Sequence, residues 1–544
     1  MFRKYTFLLL LIVLLISCGR PHDNDAGKTV FRYNESAGIT SLDPAFCSNQ
    51  ANIWAVNQLF NGLVQLDDSL NVKPCIATHW NISKDGLTYT FYLRDDVFFH
   101  NSPAFANGKG RRVVASDFVY SFNRIADPKV ASPGAWVFSQ VRRMNGSTAF
   151  VAPNDTTLQI TLTAPFPPFP GLLCNQYCSV VPHEAIDTYG TDFRRNPVGT
   201  GPFMFKMWKE GVKLVLVKNP GYFEKDGNNR LPFLDAVAVT FIADKQAAFL
   251  EFVKGNLDFI SGIDAGYKDE LLTRDGKLNP KYSNKIVLLT SPYLNTEYLG
   301  ILVDTALPAV KNNPLKNIKI RQAISYGFDR KKMMRYLRNN IGIPGTAGMV
   351  PPGLPWFDEK AVTGYDYDPE KTRRLLDEAG YPGGKGLPAI TLTTNSSYLD
   401  LCKYIQSQLI EAGFDLKIDV TPPSTLRDMI AQSNVNFFRG SWIADYPDPE
   451  NYLSLFLSQN FCPEGPNYTH FASREFDWLY KAAALEKNDS LRGEIYTKMD
   501  NLVMQQAPVI ILYYDQVLRF TQKNIKGLTS NPLNLFTLKK VRKN

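Results

Sequence analysis

The chain has 544 residues, 44% hydrophobic and 21% charged, with 12% aromatics and a formal net charge of +8. That length predicts several lobes with ample core, and that balance excludes wholesale disorder, collagen-like repeats and a disulfide-stapled mini-fold. The basic excess is scattered. Its densest runs, Arg330-Lys331-Lys332 and the C-terminal Lys539-Lys540 with Arg542-Lys543, read as solvated faces, so a nucleic-acid partner is not expected.

The N-terminus carries the sharpest local signal. Arg3 and Lys4 precede the unbroken apolar run Phe7–Ile16, too short to span a bilayer as a stable helix and shaped like a signal-peptide core. Ser17 stands directly before Cys18, an arrangement that resembles a bacterial lipobox. It implies a signal peptide over 1–17, cleavage before Cys18 and lipidation of that cysteine. Residues 18–28 are polar and read as a lipidated tether. The other cysteines are Cys47, Cys75, Cys174, Cys178, Cys402 and Cys462, and six sulfurs allow fifteen pairings. Disulfides or buried thiols are expected rather than a metal, since no second cysteine pair and no close histidine pair completes a zinc set.

Elements follow in chain order. Leu87–Leu93 is rich in β-branched and aromatic residues after the turn signal Asp85-Gly86, which predicts a strand. Ser116 is placed to cap a helix beginning at Asp117. Lys213–Val217 reads as a strand ended by Asn219-Pro220-Gly221. Ile320, Ala323, Ile324 and Phe328 share one face of a helical pattern. Asp368-Pro369-Glu370 opens another helix, with Leu375, Leu376 and Ala379 apolar and Gly380 as its stop. Interleaved strands and helices predict an α/β fold.

Motifs of catalysis are missing from the sequence. Gly27-Lys28-Thr29 has His22 where a P-loop needs glycine, and Gly199-Thr200-Gly201 runs into Pro202 rather than into a third glycine. No G-x-S-x-G elbow occurs, and the five histidines show no metal spacing. No cofactor, no metal and no enzymatic activity are expected.

Several segments together carry a resemblance. They are Ser41-Leu42-Asp43-Pro44, then Leu59–Val64, then His79-Trp80 running on to Ser116–Phe122, then Asn196–Phe203. Asn317–Arg330, the stretch YDPEKTRRLLDEAGYP from Tyr367 to Pro382, and Arg439–Pro449 follow. In this order they resemble the family 5 extracellular solute-binding proteins of bacterial ABC importers, which bind oligopeptides and dipeptides. The resemblance implies a two-lobed periplasmic-binding-protein-like α/β fold, of type II with an extra domain. Lobe I would comprise 29–64, 196–284 and 509–544, the extra domain 65–195, and lobe II 285–508. It also implies a peptide ligand held between lobes, an inner-membrane ABC permease as partner, a monomer, and a periplasmic location with a lipid anchor to the cell envelope. Asp445 matches the family's acidic residue for the peptide α-amino group. Arg439 stands where some members place a base for the ligand carboxylate. Backbone at Gly440 and Ser441 would pair with the ligand, Trp442 would flank it, and Tyr120 would reach it from the extra domain. One departure is the long loop FHNSPAFANGKGRRVVASDF before that helix. The same scaffold also suits a nickel chelate, haem, a sugar or an opine, and a lipoprotein enzyme or adhesin is the remaining alternative.

Overall fold

The computed structural model describes residues 27–144, 147–264 and 266–544; the expected signal peptide, Cys18 and most of the tether lie outside the described residues. Among the described residues the fold is α/β, built around one eleven-stranded mixed sheet. Two strands exceed all others in length: Ile286–Ile301 with 16 residues and Val509–Gln522 with 14. Both are dense in β-branched, leucine and tyrosine side chains, which suit a pleated buried surface. They pair antiparallel along their lengths, but the register slips between Pro292 and Thr296. Proline cannot donate to a ladder, so it sits where the pairing breaks.

That break divides the sheet. On one side, the 286–292 and 516–522 stretches continue through Phe259–Ser261 and Val30–Asn34 to Ala236–Thr240, Lys213–Lys218 and Phe203–Lys209. On the other, 295–301 pairs with Phe437–Ile443, which leads to Ile390–Thr394 and Leu416–Val420. The buried apolar residues divide the same way. Phe31, Trp54, Phe122 and Phe536 belong to one cluster. Tyr298, Phe456 and Met499 belong to a second, and Leu299, Ile324 and Leu392 to a third. Two side chains cross over. Tyr446 packs into the first cluster and Leu70 into the second. Leu70 has φ +64°, a left-handed backbone that costs a leucine on the order of 1–2 kcal/mol, and its burial against the opposite half offsets that cost.

A separate four-stranded antiparallel sheet comprises Ala77–Ile82, Thr88–Leu93, Thr157–Thr161 and Phe150–Asn154. The helix Ala115–Ala126 lies on it and buries Phe118, Phe122 and Ile125 at helical spacing. The helix starts before Ser116, which is exposed inside it. The capping role falls to Asp117, whose carboxylate accepts the Val114 N–H at 2.9 Å. The long loop ahead of it packs back onto the first half: the His100 N–H donates to the Gly199 carbonyl at 2.7 Å.

Two further expectations change. The pattern around 318–338 forms two helices, Ile318–Tyr326 and Arg330–Arg338, with Asp329 capping the second. Arg330, expected on a solvated face, is buried; its guanidinium donates to the Ser325 and Ile511 carbonyls at 2.8 and 2.7 Å. Those two carbonyls need donors, and a long cationic side chain reaches both. The six described cysteines are all unpaired thiols. The helix Pro369–Glu378 has the expected Asp368 cap, and Gly380 follows it at φ +88°.

The turn at 196–203 shows why glycine stands there. A Cβ on Gly199 would lie 2.1 Å from the Leu59 carbonyl oxygen, and one on Gly201 would lie 2.4 Å from the Leu59 carbonyl carbon. Backbone must approach backbone at this point, since Gly201 N–H also bonds that oxygen at 2.8 Å. Gly201→Ala is expected to lower stability by about 1–3 kcal/mol, the usual range for overpacking a rigid interior, measured by urea unfolding; an unchanged midpoint would show that the turn can move aside.

Candidate functional site: the cleft beside Asp445

Between the two halves lies a cavity of about 440 Å³, within the range that holds a small ligand. Its walls come from every part of the chain. The helix Gln50–Leu59 supplies Trp54 and Asn57, the 171–179 stretch supplies Gln176 and Tyr177, and the other half supplies Ile443 to Pro447. Tyr293 at the crossing point and Asn534 close it. A second cavity of about 770 Å³ lies between the 83–86 turn, the proline-rich 165–170 stretch and residues 484–492; Gly171, Tyr446 and Pro447 line both. The Phe166 and Tyr446 rings meet edge to face at 6.1 Å.

Asp445 lies on the wall of the smaller cavity. Its surface is exposed to solvent, yet protein crowds it closely enough that burial raises its carboxyl above the ordinary aspartate value, with the Asn451 amide opposing. Both hold for a group facing into a cleft. No described cation forms an ion pair with it, and its charge acts on Tyr177, whose hydroxyl is pushed up to about 12 chiefly by burial. Asn451 fixes this part of the chain. Its Oδ1 accepts from the Asp445 N–H at 3.2 Å and from Trp442 Nε1 at 2.9 Å.

The structure separates the other expected residues. Arg439 is buried and ion-paired to Glu297, with its guanidinium 3.2 Å above the centre of the Tyr398 ring. Gly440 and Ser441 pair with Tyr298 and Glu297 along one edge of their strand. The strand's opposite edge meets a neighbour only at Phe438, so the backbone of 439–443 keeps one edge unpaired. Trp442 is half-buried and packs against the second apolar cluster rather than on the cavity wall. Tyr120 does not line the cavity; its ring meets His183 at 5.9 Å. Sequence reasoning missed Trp54, Asn57, Trp136, Tyr177, Tyr293 and Asn534. Trp54 has the spacing of a core residue, and the 175–177 segment lies between two cysteines that drew attention to sulfur chemistry instead.

Directly behind the Asp445 turn is an acidic knot. Glu450 accepts hydrogen bonds from the hydroxyls of Tyr446 and Tyr480, and Asp448 accepts the Glu450 N–H at 2.9 Å. Burial lifts Glu450 to about 7 and Asp448 to about 6. Arg492, the nearby base, is held by Asp489 at 2.7 Å.

The sequence from 71 to 461 matches the profile of the bacterial extracellular solute-binding proteins, family 5 middle. The chain belongs to that family. It is 26% identical to the dipeptide-binding protein DppE of Bacillus subtilis (strain 168), over 97% of this chain and 95% of the relative. Against the glutathione-binding protein GsiB of Salmonella typhi it is 26% identical, covering 91% of each. Among solved structures, HbpA2 from Haemophilus parasuis superposes with a TM-score of 0.81 at 23% identity, over 95% of this chain and 100% of that one. The periplasmic binding protein DppA from Helicobacter pylori, in complex with the peptide STSA, gives 0.74 at 24% identity, over 94% and 98%. These likenesses establish the periplasmic-binding-protein fold. No helix among the described residues is long and apolar enough to cross a membrane.

The knot carries a pH dependence. Glu450 binds its proton more tightly folded than unfolded, so the native state gains stability below the folded value and loses it as pH rises from the unfolded carboxyl range, near 4.3, through about 7. Wild-type stability is expected to fall between pH 5 and 8, and Glu450→Gln to remove about 1–3 kcal/mol of that fall. Urea unfolding at both pH values measures it; identical slopes in both proteins would clear Glu450 of any part in it.

Proposed function

We propose that this protein is the substrate-binding component of a bacterial ABC importer for peptides. It captures a di- to oligopeptide between its two halves and delivers it, unaltered, to an inner-membrane permease. The observation that carries this reading is Asp445: a carboxylate on the wall of the cleft with no ion-pair partner among the described residues. A crowded anion of that kind is satisfied by a ligand cation, and the α-amino group of a peptide is one. The unpaired edge of 439–443, which reaches the cavity wall at Ile443, supports it, because an extended peptide can add to such an edge through main-chain hydrogen bonds that ignore side-chain identity. The ligands for which the two relatives are named, dipeptides and glutathione, belong to the same chemical class.

In this reading the two stretches that pass through the register break at 292–296 serve as the hinge. Lobe I comprises 29–64, 196–284 and 509–544, lobe II comprises 285–508, and 65–195 forms the extra domain. Tyr446 and Leu70, each buried in the opposite half, hold the closed state. Cys18 carries the lipid that anchors a periplasmic monomer to the cell envelope. No reaction is catalysed. Arg439 acts here through Glu297 as a support for the ligand-binding strand, and Trp442 holds Asn451 in place beneath Asp445. Tyr120 supports the extra domain beside His183 and does not touch ligand.

Asp445→Ala is expected to weaken peptide binding by about 2–5 kcal/mol, since it leaves a desolvated ammonium unpaired. Titration calorimetry of the purified full chain in detergent, with a tripeptide as ligand, tests this. Affinity equal to wild type would take Asp445 out of the site and the peptide reading with it.

A further inference from the structure

The cleft is charged at one end only. Asp445 has no ion-pair partner among the described residues, whereas the bases around the cavity are already committed. Lys539 reaches the wall, yet its ammonium donates to Glu224 at 2.5 Å and to Gln65 at 2.7 Å. Arg519 lies buried behind Asn534 and Leu535, its guanidinium taken up by the Thr529 carbonyl at 2.6 Å, the Leu535 carbonyl at 2.8 Å and the Asn534 side-chain oxygen at 2.8 Å. Arg439 is off the wall and is held by Glu297. The remaining polar lining is rich in carboxamides. Two of these, Gln50 and Asn57, have side-chain amides with no partner among the described residues, and Asn175, Gln176 and Asn534 stand near them. Carboxamides are neutral and both donate and accept, so they pair with a peptide's amide as readily as with its acid.

We propose that this site selects its ligand by the amino end alone and has no requirement for a free C-terminal carboxylate. Its ligands are peptides with a free α-amino group whose other end is neutral, as in a C-terminal amide. This rests on the peptide reading above and deepens it. The physical reason is the asymmetry of desolvation. An ammonium entering the cleft meets Asp445. A carboxylate entering it meets no uncommitted cation among the described residues that line the cavity and must be accommodated by neutral dipoles, and a buried charge without an opposite charge is far costlier than a buried amide with hydrogen-bond partners. Lys539 could compensate only by abandoning Glu224, itself mostly buried, which moves the unpaired charge rather than removing it.

Three forms of one tripeptide decide the matter: Ala-Ala-Ala as the free acid, as the C-terminal amide, and as the N-acetylated amide, titrated into the full chain in detergent. The amide is expected to bind at least as tightly as the acid, and N-acetylation to weaken the amide by about 30-fold or more, the equivalent of 2 kcal/mol. Lys539→Gln is expected to leave the amide-to-acid ratio unchanged. A free acid binding tenfold or more tighter than the amide overturns the inference while leaving the peptide reading intact. So does a loss of acid affinity alone in Lys539→Gln. Failure of all three forms to bind, with a non-peptide solute bound instead, overturns the peptide reading and the inference together.

Discussion

A charge withdrawn from water needs an opposite charge or a full set of hydrogen-bond partners, and among the described residues each base around this cleft has one or the other, while Asp445 has no ion-pair partner. Lys539 has Glu224, Arg439 has Glu297, and Arg519 has a ring of oxygens. The unmet carboxylate makes the cleft electrostatically incomplete. In the proposed peptide reading, binding energy is concentrated where the ligand supplies the missing positive charge, while the open strand edge and neutral amides contribute interactions that tolerate many side chains.

The architecture serves that site. Two long strands run through both halves and change register at Pro292, so the halves are joined by paired backbone rather than by a loose linker. In the proposed reading such a joint keeps the approach of one wall to the other along a fixed path, while the break in pairing lets it bend. Where the walls meet, apolar side chains are exchanged, with Tyr446 entering one core and Leu70 the other. The acidic knot of Asp448 and Glu450 lies under the same turn, tying the position of Asp445 to protonation two or three side chains away.

Several elements are legible along the chain because their signals are local. The Asp368 cap with Pro369, the strand after Asp85-Gly86 and the buried face of Ile320, Ala323 and Ile324 each follow from neighbours within a few residues. Local signals mislead where a distant partner decides. Arg330 sits in a basic run yet is drawn inward by carbonyls, one of them more than a hundred residues away. Ser116 is a better generic cap than valine, but the reach of Asp117 to Val114 N–H sets the helix start.

The sequence by itself determined the α/β pattern, the family and the one acidic residue most worth attention, because ordered motifs and local periodicity are written along the chain. Tertiary structure decided which charges are spent and which remain. Glu297 and Arg439 are 142 residues apart and Glu224 and Lys539 are 315 apart, and no spacing rule connects them. Ion pairing is a property of distance in space and of desolvation, and both are set only when the sheet brings those strands and walls together.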